Sequence, residues 1–309
     1  MTNFRELVHE YIDLRRSLGF KLREHEGLLN GFARYLEQAG AVTLTNDLAS
    51  SWAMKPYKAH PYTWKKRLSV ARGFARYLQT LDPKTEVPAA DLLAYRYQRP
   101  VPYIYTEDEI RAILSAASNL KPQLRAETYR TLLGLLAVTG MRLGEALRLD
   151  RSDVDIFTGR LTIRLTKFSK SREIPLHPTT TKALAEYAQQ RDRLYTRPTS
   201  DSSFFISTRG TRLIDVVVHH VFRQLITEVG LSPRAGSGVP RIHGLRHTFT
   251  VTTLRDWYRA EQSPSGKLPL LSAYLGHVNP ASTYWYLQTD AELLRLAAER
   301  LEHVPGVKR

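Results

Sequence analysis

The chain has 309 residues, of which 42% are hydrophobic, and its formal net charge is +15 at pH 7; this length points to two domains, and this composition excludes a globally disordered chain. It has no cysteine, which excludes disulfides and thiolate metal sites. It also has neither a run of about 18 apolar residues nor a signal-peptide pattern, so we expect a cytoplasmic protein without a membrane span. The positive charge favours a polyanionic partner, and nucleic acid is the leading class.

Residues 1–82 are predicted to form a helical domain, because apolar residues recur there at spacings that fit single helical faces. The last of its helices also carries a series of basic residues. Such residues opposite an apolar face suit a helix that lies against DNA phosphates, although a solvated charged face is the simpler alternative. The predicted DNA-binding residues of this domain are Lys65, Lys66, Arg67, Arg72 and Arg76.

Residues 83–105 are predicted to be a linker, because Pro83, Pro88, Pro100 and Pro102 interrupt any helix there. The second domain, 106–309, begins at Thr106-Glu-Asp-Glu109, which has the spacing of a helix capping box. Both domains are basic, which suits two domains that clamp one duplex.

The second domain is predicted to be mainly helical with one small antiparallel sheet. A helical run ends at Thr139-Gly140, and alternating apolar and polar residues predict a strand over 161–166. Its partner is 173–177, with residues 167–172 as the hairpin tip. The remaining predicted helices span about 178–194, 214–229, 243–258, 267–275 and 290–302. The predicted fold is therefore mainly α with a small antiparallel β-sheet, in two domains.

A short helix after Gly140 begins with Arg142 and carries Glu145 one turn later. A guanidinium bonds two phosphate oxygens at once and does not deprotonate, and a helix N-terminus favours anions. Glu145 could fix this guanidinium or accept from a neighbouring histidine. Each residue alone would be an ordinary surface arginine or an ordinary helix pair.

Two further positions suit the binding of a phosphodiester. His243 and Arg246 lie at i and i+3 on one helical face, and Gly244 between them allows close approach of a ligand. His277 follows Gly276 at a predicted helix end. A lone histidine at such a place is more often a cap or a packing residue.

Lys167 lies at the predicted hairpin tip, where a lysine is ordinarily solvated. Its ammonium group could instead protonate a leaving 5′-oxygen as a general acid. Lys170 competes with it for this role and is otherwise predicted to contact DNA.

Tyr286 is one of 16 tyrosines and is singled out by its position nine residues after His277. Asn279-Pro280 suits the start of a short helix that carries it. A phenol is a weak nucleophile at neutral pH, and flanking arginines would stabilise its phenolate. Tyr284 and Tyr274 are the alternative nucleophiles.

Taken in order, these motifs resemble the tyrosine recombinase (phage integrase) family over essentially the whole chain. The resemblance implies a helical core-binding domain followed by a mixed α/β catalytic domain. Leu287 follows Tyr286 where many relatives have a histidine, which is similar to transposon- or plasmid-borne members. The catalytic residues that the resemblance implies are Arg142, Glu145, Lys167, His243, Arg246, His277 and the nucleophile Tyr286.

The resemblance implies that Tyr286 attacks a DNA phosphate and forms a 3′-phosphotyrosyl bond, while Lys167 protonates the leaving 5′-oxygen so that a 5′-hydroxyl is released. The covalent bond stores the energy for rejoining, so no cofactor is implied; consistently, the sequence has no phosphate-binding P-loop and no acidic cluster with metal-ligand spacing. A mobile element in a bacterial cytoplasm, at the nucleoid, is the implied setting. The implied partners are double-stranded DNA, three further copies in a tetramer whose C-terminal helices dock in trans, and sister recombinases of the same element.

Three other classes of protein share some of these features. A type IB topoisomerase also uses a tyrosine with arginines, but the helical first domain and the apolar helix after Tyr286 favour a recombinase. A catalytically silent DNA-binding regulator would lack a motif residue, and none is missing. An RNA-binding or membrane-surface protein would explain the charge but leave the ordered motifs as coincidence.

Overall fold

The computed structural model of the chain describes residues 3–93, 100–164, 171–196, 202–260, 264–277, 279 and 281–302. The chain divides into two compact units, Met1–Arg99 and Pro100–Arg309, and the division falls inside the predicted linker. The described elements are helices apart from one small antiparallel sheet, so the predicted fold class is confirmed.

The first unit packs its described helices around one apolar core. Thr45 begins the third helix by accepting a hydrogen bond from the Leu48 amide, and Pro61 begins the fourth, where its missing N–H has no cost. The predicted periodicity is seen in the burial of Phe4, Val8 and Ile12 on one face. The helices are α1 (Phe4–Ser17), α2 (Arg23–Gln38), α3 (Asn46–Met54) and α4 (Pro61–Leu81).

The described ends of the segment 83–105 pack on the adjacent units. The amide of Glu86 donates to the carbonyl of Leu44 at 2.9 Å, and Thr85 is buried in the first unit. At the other end, Tyr103 and Tyr105 are buried in the core of the second unit. The prolines predict a segment without helix, but they carry no information on this packing.

The first helix of the second unit begins at the predicted capping box, in which Thr106 and Glu109 each accept from the other's backbone amide. Its helix over Pro178–Leu194 has the predicted bounds. The helices are α5 (Glu107–Ser118), α6 (Gln123–Thr139), α7 (Leu143–Ala146), α8 (Pro178–Leu194), α9 (Asp215–Glu228), α10 (His243–Arg259), α11 (Pro264–Leu275), α12 (Ala281–Thr289) and α13 (Ala291–Glu302).

The sheet has the order β1 (Val154–Asp155), β2 (Arg160–Ile163) and β3 (Arg172–Pro175), and both pairings are antiparallel. Ile163 lies opposite Arg172 in the register, and Leu161 lies opposite Ile174. Since alternate residues share a face, Arg172 lies on the side of the buried Ile174. Residues 165–170 between the two strands, including Lys167 and Lys170, lie outside the described residues.

Two apolar clusters of the second unit position the site. The larger one surrounds α6, which ends at Gly140 with φ of +59°, and a Cβ there would lie 2.4 Å from the ring of Phe249. The smaller one joins α10 to the three helices that follow it. Its buried members are Val251, Leu254, Leu268, Leu271, Leu275, Tyr286 and Leu293.

Candidate active site

Arg142 and Glu145 are brought together at α7, as their spacing predicts. Arg142 is the residue before the helix, and its Nη1 donates to Oε1 of Glu145 at 2.8 Å while its backbone amide donates to Oε2 at 3.0 Å. Burial would raise the pKa of Glu145, but hydrogen bonds from Arg172 and from the Arg142 backbone outweigh it and lower that pKa. The carboxylate is therefore charged at neutral pH.

Arg172 is a second partner of this carboxylate that sequence reasoning missed. Its Nη2 lies 2.8 Å from Oε2 of Glu145, and its Nε donates to the carbonyl of Tyr274 at 2.9 Å. The signal that could have found it is its place in β3, two residues before the apolar Ile174. An arginine on the inward face of a strand requires a buried partner.

Gly276 connects this arginine pair to the helix end before His277. Its carbonyl accepts from Nη2 of Arg142 at 2.9 Å. Its φ is +67°, which favours glycine, and a Cβ there would lie 2.6 Å from Nη1 of Arg172. The turn between α11 and α12 therefore fits closely against both guanidinium groups.

Arg246 lies one turn into α10 and is 3% exposed. Its Nη1 donates to the carbonyl of Gly140 at 2.8 Å, and its Nη2 donates to the carbonyl of Leu275 at 2.9 Å. Burial lowers its pKa to about 10, and the nearby charge of Arg142 acts in the same direction. Arg246 is thus still a cation at neutral pH, and the two predicted arginines bond the adjacent carbonyls of Leu275 and Gly276.

The two predicted histidines have different surroundings. His243 begins α10 and is exposed, and its ring centroid lies 4.6 Å from that of His247. His277 is half-buried, and its Nδ1 lies 2.7 Å from Oγ1 of Thr283, a buried residue of α12. His277 therefore joins the α11–α12 turn to the helix that carries Tyr286.

The side chain of Tyr286 is 1% exposed and packs in the smaller apolar cluster. Its hydroxyl lies 2.7 Å from Nδ1 of His247, a residue that sequence reasoning missed. The available signal was the position of His247 directly after Arg246 and four residues after His243, on the same helical face. The alternative Tyr284 is 47% exposed, and the alternative Tyr274 is half-buried with a pKa raised by burial.

The basic residues predicted on α4 differ in what they contact. Lys66 pairs with Glu24 at 2.8 Å. Arg67 stacks on Trp52 and donates to its carbonyl, and Arg72 donates to the carbonyls of Pro88 and Ala89. Arg76 is exposed, and Lys65 lines, with Lys66 and Arg72, a cavity of about 670 Å³ between α1, α2 and α4.

The described residues contain neither a side-chain cluster suited to a metal ion nor a helix suited to a bilayer. No group of three or more His, Asp or Glu side chains there has the arrangement to hold a metal ion. None of the helices in the same part of the chain combines the length and the apolar character that a bilayer crossing requires.

Comparison with known proteins gives sequence relatives over most of the chain. A Sinorhizobium fredii protein named integrase/recombinase y4rB is 44% identical over 307 residues, which are 98% of each chain. Tyrosine recombinase XerC of Alcanivorax borkumensis is 28% identical over 233 residues, which are 75% of this chain and 70% of that one.

Solved structures share the fold. The structure of a lambda integrase dimer bound to a COC′ core site has a TM-score of 0.63 at 20% identity, covering 90% of this chain and 96% of that one. The Tn1549 transposon integrase in complex with transposon right end DNA has a TM-score of 0.65 at 19% identity, covering 96% and 99%. Residues 104–292, which contain both arginines, both histidines and Tyr286, match the phage integrase family. The chain therefore belongs to the phage integrase family and is an enzyme of the tyrosine recombinase type.

Proposed function

We propose that the chain is a site-specific DNA recombinase that cleaves and rejoins duplex DNA through a 3′-phosphotyrosyl bond to Tyr286. The observation that carries the proposal is the arrangement of Arg142 and Arg246 on the adjacent carbonyls of Gly276 and Leu275, directly before the helix of Tyr286. Two fixed guanidinium groups beside a phenol are the groups that a phosphodiester transfer requires.

The arginines bind and polarise the scissile phosphate in this proposal. Arg142 is the more accessible of the two, with 37% of its side chain exposed, while Arg246 is almost fully buried. A charge in a buried setting acts more strongly than one in water. Glu145, buried between Arg142 and Arg172, fixes the orientation of Arg142.

The phenol oxygen of Tyr286 forms a bond to phosphorus as the bond from phosphorus to the 5′-oxygen breaks. The leaving oxygen takes a proton from Lys167. His243 holds the phosphate, and His277 holds the α11–α12 turn. A 5′-hydroxyl of a partner duplex then attacks the phosphotyrosine and releases the tyrosine. Since Tyr286 is 1% exposed, the packing around it must open before a phosphate can reach its hydroxyl.

Double-stranded DNA is the proposed substrate and partner. The net charge of +15 supports a polyanion, and the solved Tn1549 integrase structure is a complex with transposon right end DNA. Lys65, Lys66, Arg76 and Lys170 are proposed to contact phosphates. Arg67 and Arg72 support the first unit instead, because their guanidinium groups bond backbone carbonyls there.

The proposed assembly is a tetramer on DNA in which the C-terminal helix docks on a neighbouring copy. In the single chain, α13 packs on α10: Leu293 is buried, and Arg255 bonds Asp290 at 2.7 Å. Docking in trans would therefore require these contacts to open and to form again between copies. We further propose that the enzyme integrates, excises or resolves a bacterial mobile element, with sister recombinases, at the nucleoid.

The test is a covalent trapping experiment with nicked duplexes from the ends of the element that encodes the chain. The wild type and Tyr284→Phe should give a protein–DNA band on a denaturing gel, and Tyr286→Phe should not. A band that survives in Tyr286→Phe would move the nucleophile elsewhere and overturn the assignment. DNA binding without any band in the wild type would favour a regulator over a recombinase.

A further inference from the structure

His247 contacts the atom that is to become the nucleophile. Its Nδ1 lies 2.7 Å from the hydroxyl oxygen of Tyr286, within the range for a hydrogen bond between strong partners. The two residues are 39 positions apart and belong to different helices, α10 and α12, so the contact is a product of the tertiary fold.

The imidazole of His247 is held in place from several sides. Its ring lies at centroid distances of 4.6 Å from His243 and 5.9 Å from Trp285, and of 5.4 Å from the ring of Tyr286 itself. The side chain is half-buried on the first turns of α10, the helix that also supplies Arg246. A ring fixed on the helix of the phosphate-binding arginine lies near the atoms that are proposed to react.

A buried phenol needs help to ionise. The hydroxyl of a free tyrosine has a pKa of about 10, and an apolar environment disfavours its charged form further. Imidazole is the side chain that most readily accepts a proton near neutral pH, and a general base must lie within hydrogen-bond reach of the proton that it removes. His247 meets this geometric condition, whereas the predicted His243 is exposed at the start of the helix.

We infer that His247 is a further catalytic residue, the general base that accepts the phenol proton of Tyr286 during attack on DNA. In this step the proton moves from the phenol oxygen to Nδ1 of His247, and the oxygen forms its bond to phosphorus. The bond from phosphorus to the 5′-oxygen breaks, and that oxygen is protonated separately. During rejoining the proton returns from His247 to Tyr286 as the phosphotyrosyl bond breaks. The inference rests on the proposed function, since it needs Tyr286 to be the nucleophile.

The first experiment separates hydrogen bonding from proton transfer by means of His247→Asn. The amide oxygen of asparagine occupies about the position of Nδ1 and accepts a hydrogen bond, but it does not take a proton. Covalent trapping from a random library of nicked duplexes first supplies a substrate for the wild type. At saturating protein, His247→Asn should bind this duplex normally and cleave it about 10²- to 10⁴-fold more slowly. His220→Asn, the same change at an exposed position of α9, should cleave like the wild type.

A chemical rescue tests whether the slower cleavage by His247→Asn comes from the failure to remove the phenol proton of Tyr286. Incorporating 3,5-difluorotyrosine at position 286 makes the phenol more acidic, so ionisation needs less help. His247→Asn should then recover at least tenfold of its lost cleavage rate, as expected where a base contributes 10²-fold or more, while the wild type should not gain. An equal defect with either tyrosine, or full activity of His247→Asn, would overturn the inference.

A second measurement needs no variant that has to fold. The two nitrogens of His247 can be followed by ¹⁵N NMR of the histidine-labelled wild type, because a protonated ring nitrogen and an accepting one resonate apart. The inference requires Nδ1 to be unprotonated and to accept from Tyr286. A proton on Nδ1 would make His247 the donor and refute the inference.

The outcomes distinguish this inference from the proposed function. If the wild type traps no DNA from any library, or if trapping survives Tyr286→Phe, the proposed function itself fails. If trapping needs Tyr286 but His247→Asn cleaves normally, only the role of His247 is wrong. A strong defect in His243→Asn together with normal His247→Asn would give the base role to the first histidine.

Discussion

Arg172 donates to both carboxylate oxygens of Glu145, at 2.8 Å to Oε2 and 3.2 Å to Oε1. The same carboxylate, 2% exposed, also accepts from Arg142. One buried negative charge thus orients two guanidinium groups, and Arg172 additionally holds the carbonyl of Tyr274 near the end of α11. A residue of the sheet is therefore part of the support for the predicted phosphate-binding arginine.

Replacing Arg172 by alanine should destabilise the second unit and slow DNA cleavage. The change leaves the buried carboxylate of Glu145 with one guanidinium instead of two, and breaking a buried ion pair costs about 3–5 kcal/mol. Urea unfolding would measure the loss of free energy of unfolding, and single-turnover cleavage would measure the effect on the site.

Arg160→Ala is the matched control for Arg172→Ala. Arg160 also lies in the sheet and pairs with Glu173 at 3.6 Å, but both side chains are about 60% exposed. An exposed pair contributes at most about 1 kcal/mol. Equal losses of free energy of unfolding in the two variants would mean that the buried pair with Glu145 stabilises the fold no more than an exposed pair does.

Gly276→Ala should impair cleavage more than the backbone strain alone explains. The φ of +67° costs a non-glycine residue about 1–2 kcal/mol, and the new Cβ would also lie 2.6 Å from Nη1 of Arg172 and 3.4 Å from Nη1 of Arg142. We expect displaced guanidinium groups and a large fall in cleavage rate at nearly unchanged DNA affinity, measured by single-turnover kinetics and a binding titration.

Gly230→Ala measures the cost of the strained backbone without a side-chain clash. Gly230 has a φ of +69°, but a Cβ there meets nothing within 4 Å. Because of the strained φ, Gly230→Ala should lose about as much free energy of unfolding as Gly276→Ala. It should keep the wild-type cleavage rate. If both alanine variants cleave like the wild type, the close fit of the α11–α12 turn has no role in catalysis.

The sequence predicted the elements because their signals are local. The capping box of Thr106 and Glu109, the bounds Pro178–Leu194 and the pairing of Arg142 with Glu145 depend on residues within a few positions of one another. Periodicity also identified the buried face of α1. These patterns record what a helix needs in order to begin, to end and to bury one side.

The missed contacts depend on long-range packing. Arg172 lies 27 residues from Glu145 and His247 lies 39 from Tyr286, so no spacing rule joins them. The burial of Tyr286 follows from the packing of α10, α11 and α13 around it, which a motif does not encode. The roles of Lys167 and Lys170 stay predictions from the sequence, since both lie outside the described residues.

The contribution of Glu145 to stability should depend on pH in a defined direction. Its pKa is lowered in the folded protein from an ordinary value of 4.5. The unfolded chain therefore takes up this proton first, so the stabilisation is present above about pH 4.5 and is lost as the pH falls through the folded pKa. The difference in free energy of unfolding between wild type and Glu145→Gln should be large at pH 7 and should shrink below pH 4.5, as measured by urea unfolding. A difference that stays constant down to pH 3 would contradict the ion-pair explanation.

The hairpin lysines can be told apart by the chemistry of the leaving group. If Lys167 protonates the leaving 5′-oxygen, Lys167→Ala should cleave an ordinary duplex about 10²- to 10⁴-fold more slowly. When sulfur replaces that bridging oxygen in the duplex, the 5′-group leaves as a thiolate, which needs no proton. Single-turnover cleavage of the sulfur substrate by Lys167→Ala should therefore approach the wild-type rate.

Lys170→Ala is the control, because Lys170 is predicted to contact DNA and is the alternative acid. It should weaken DNA binding, more so at low salt, and cleave both substrates alike once the protein is saturating. Rescue by sulfur in Lys170→Ala, and not in Lys167→Ala, would transfer the acid role to Lys170. His247→Asn should gain nothing from the sulfur substrate, because the proton it is proposed to accept comes from Tyr286 and the sulfur changes only the group that leaves.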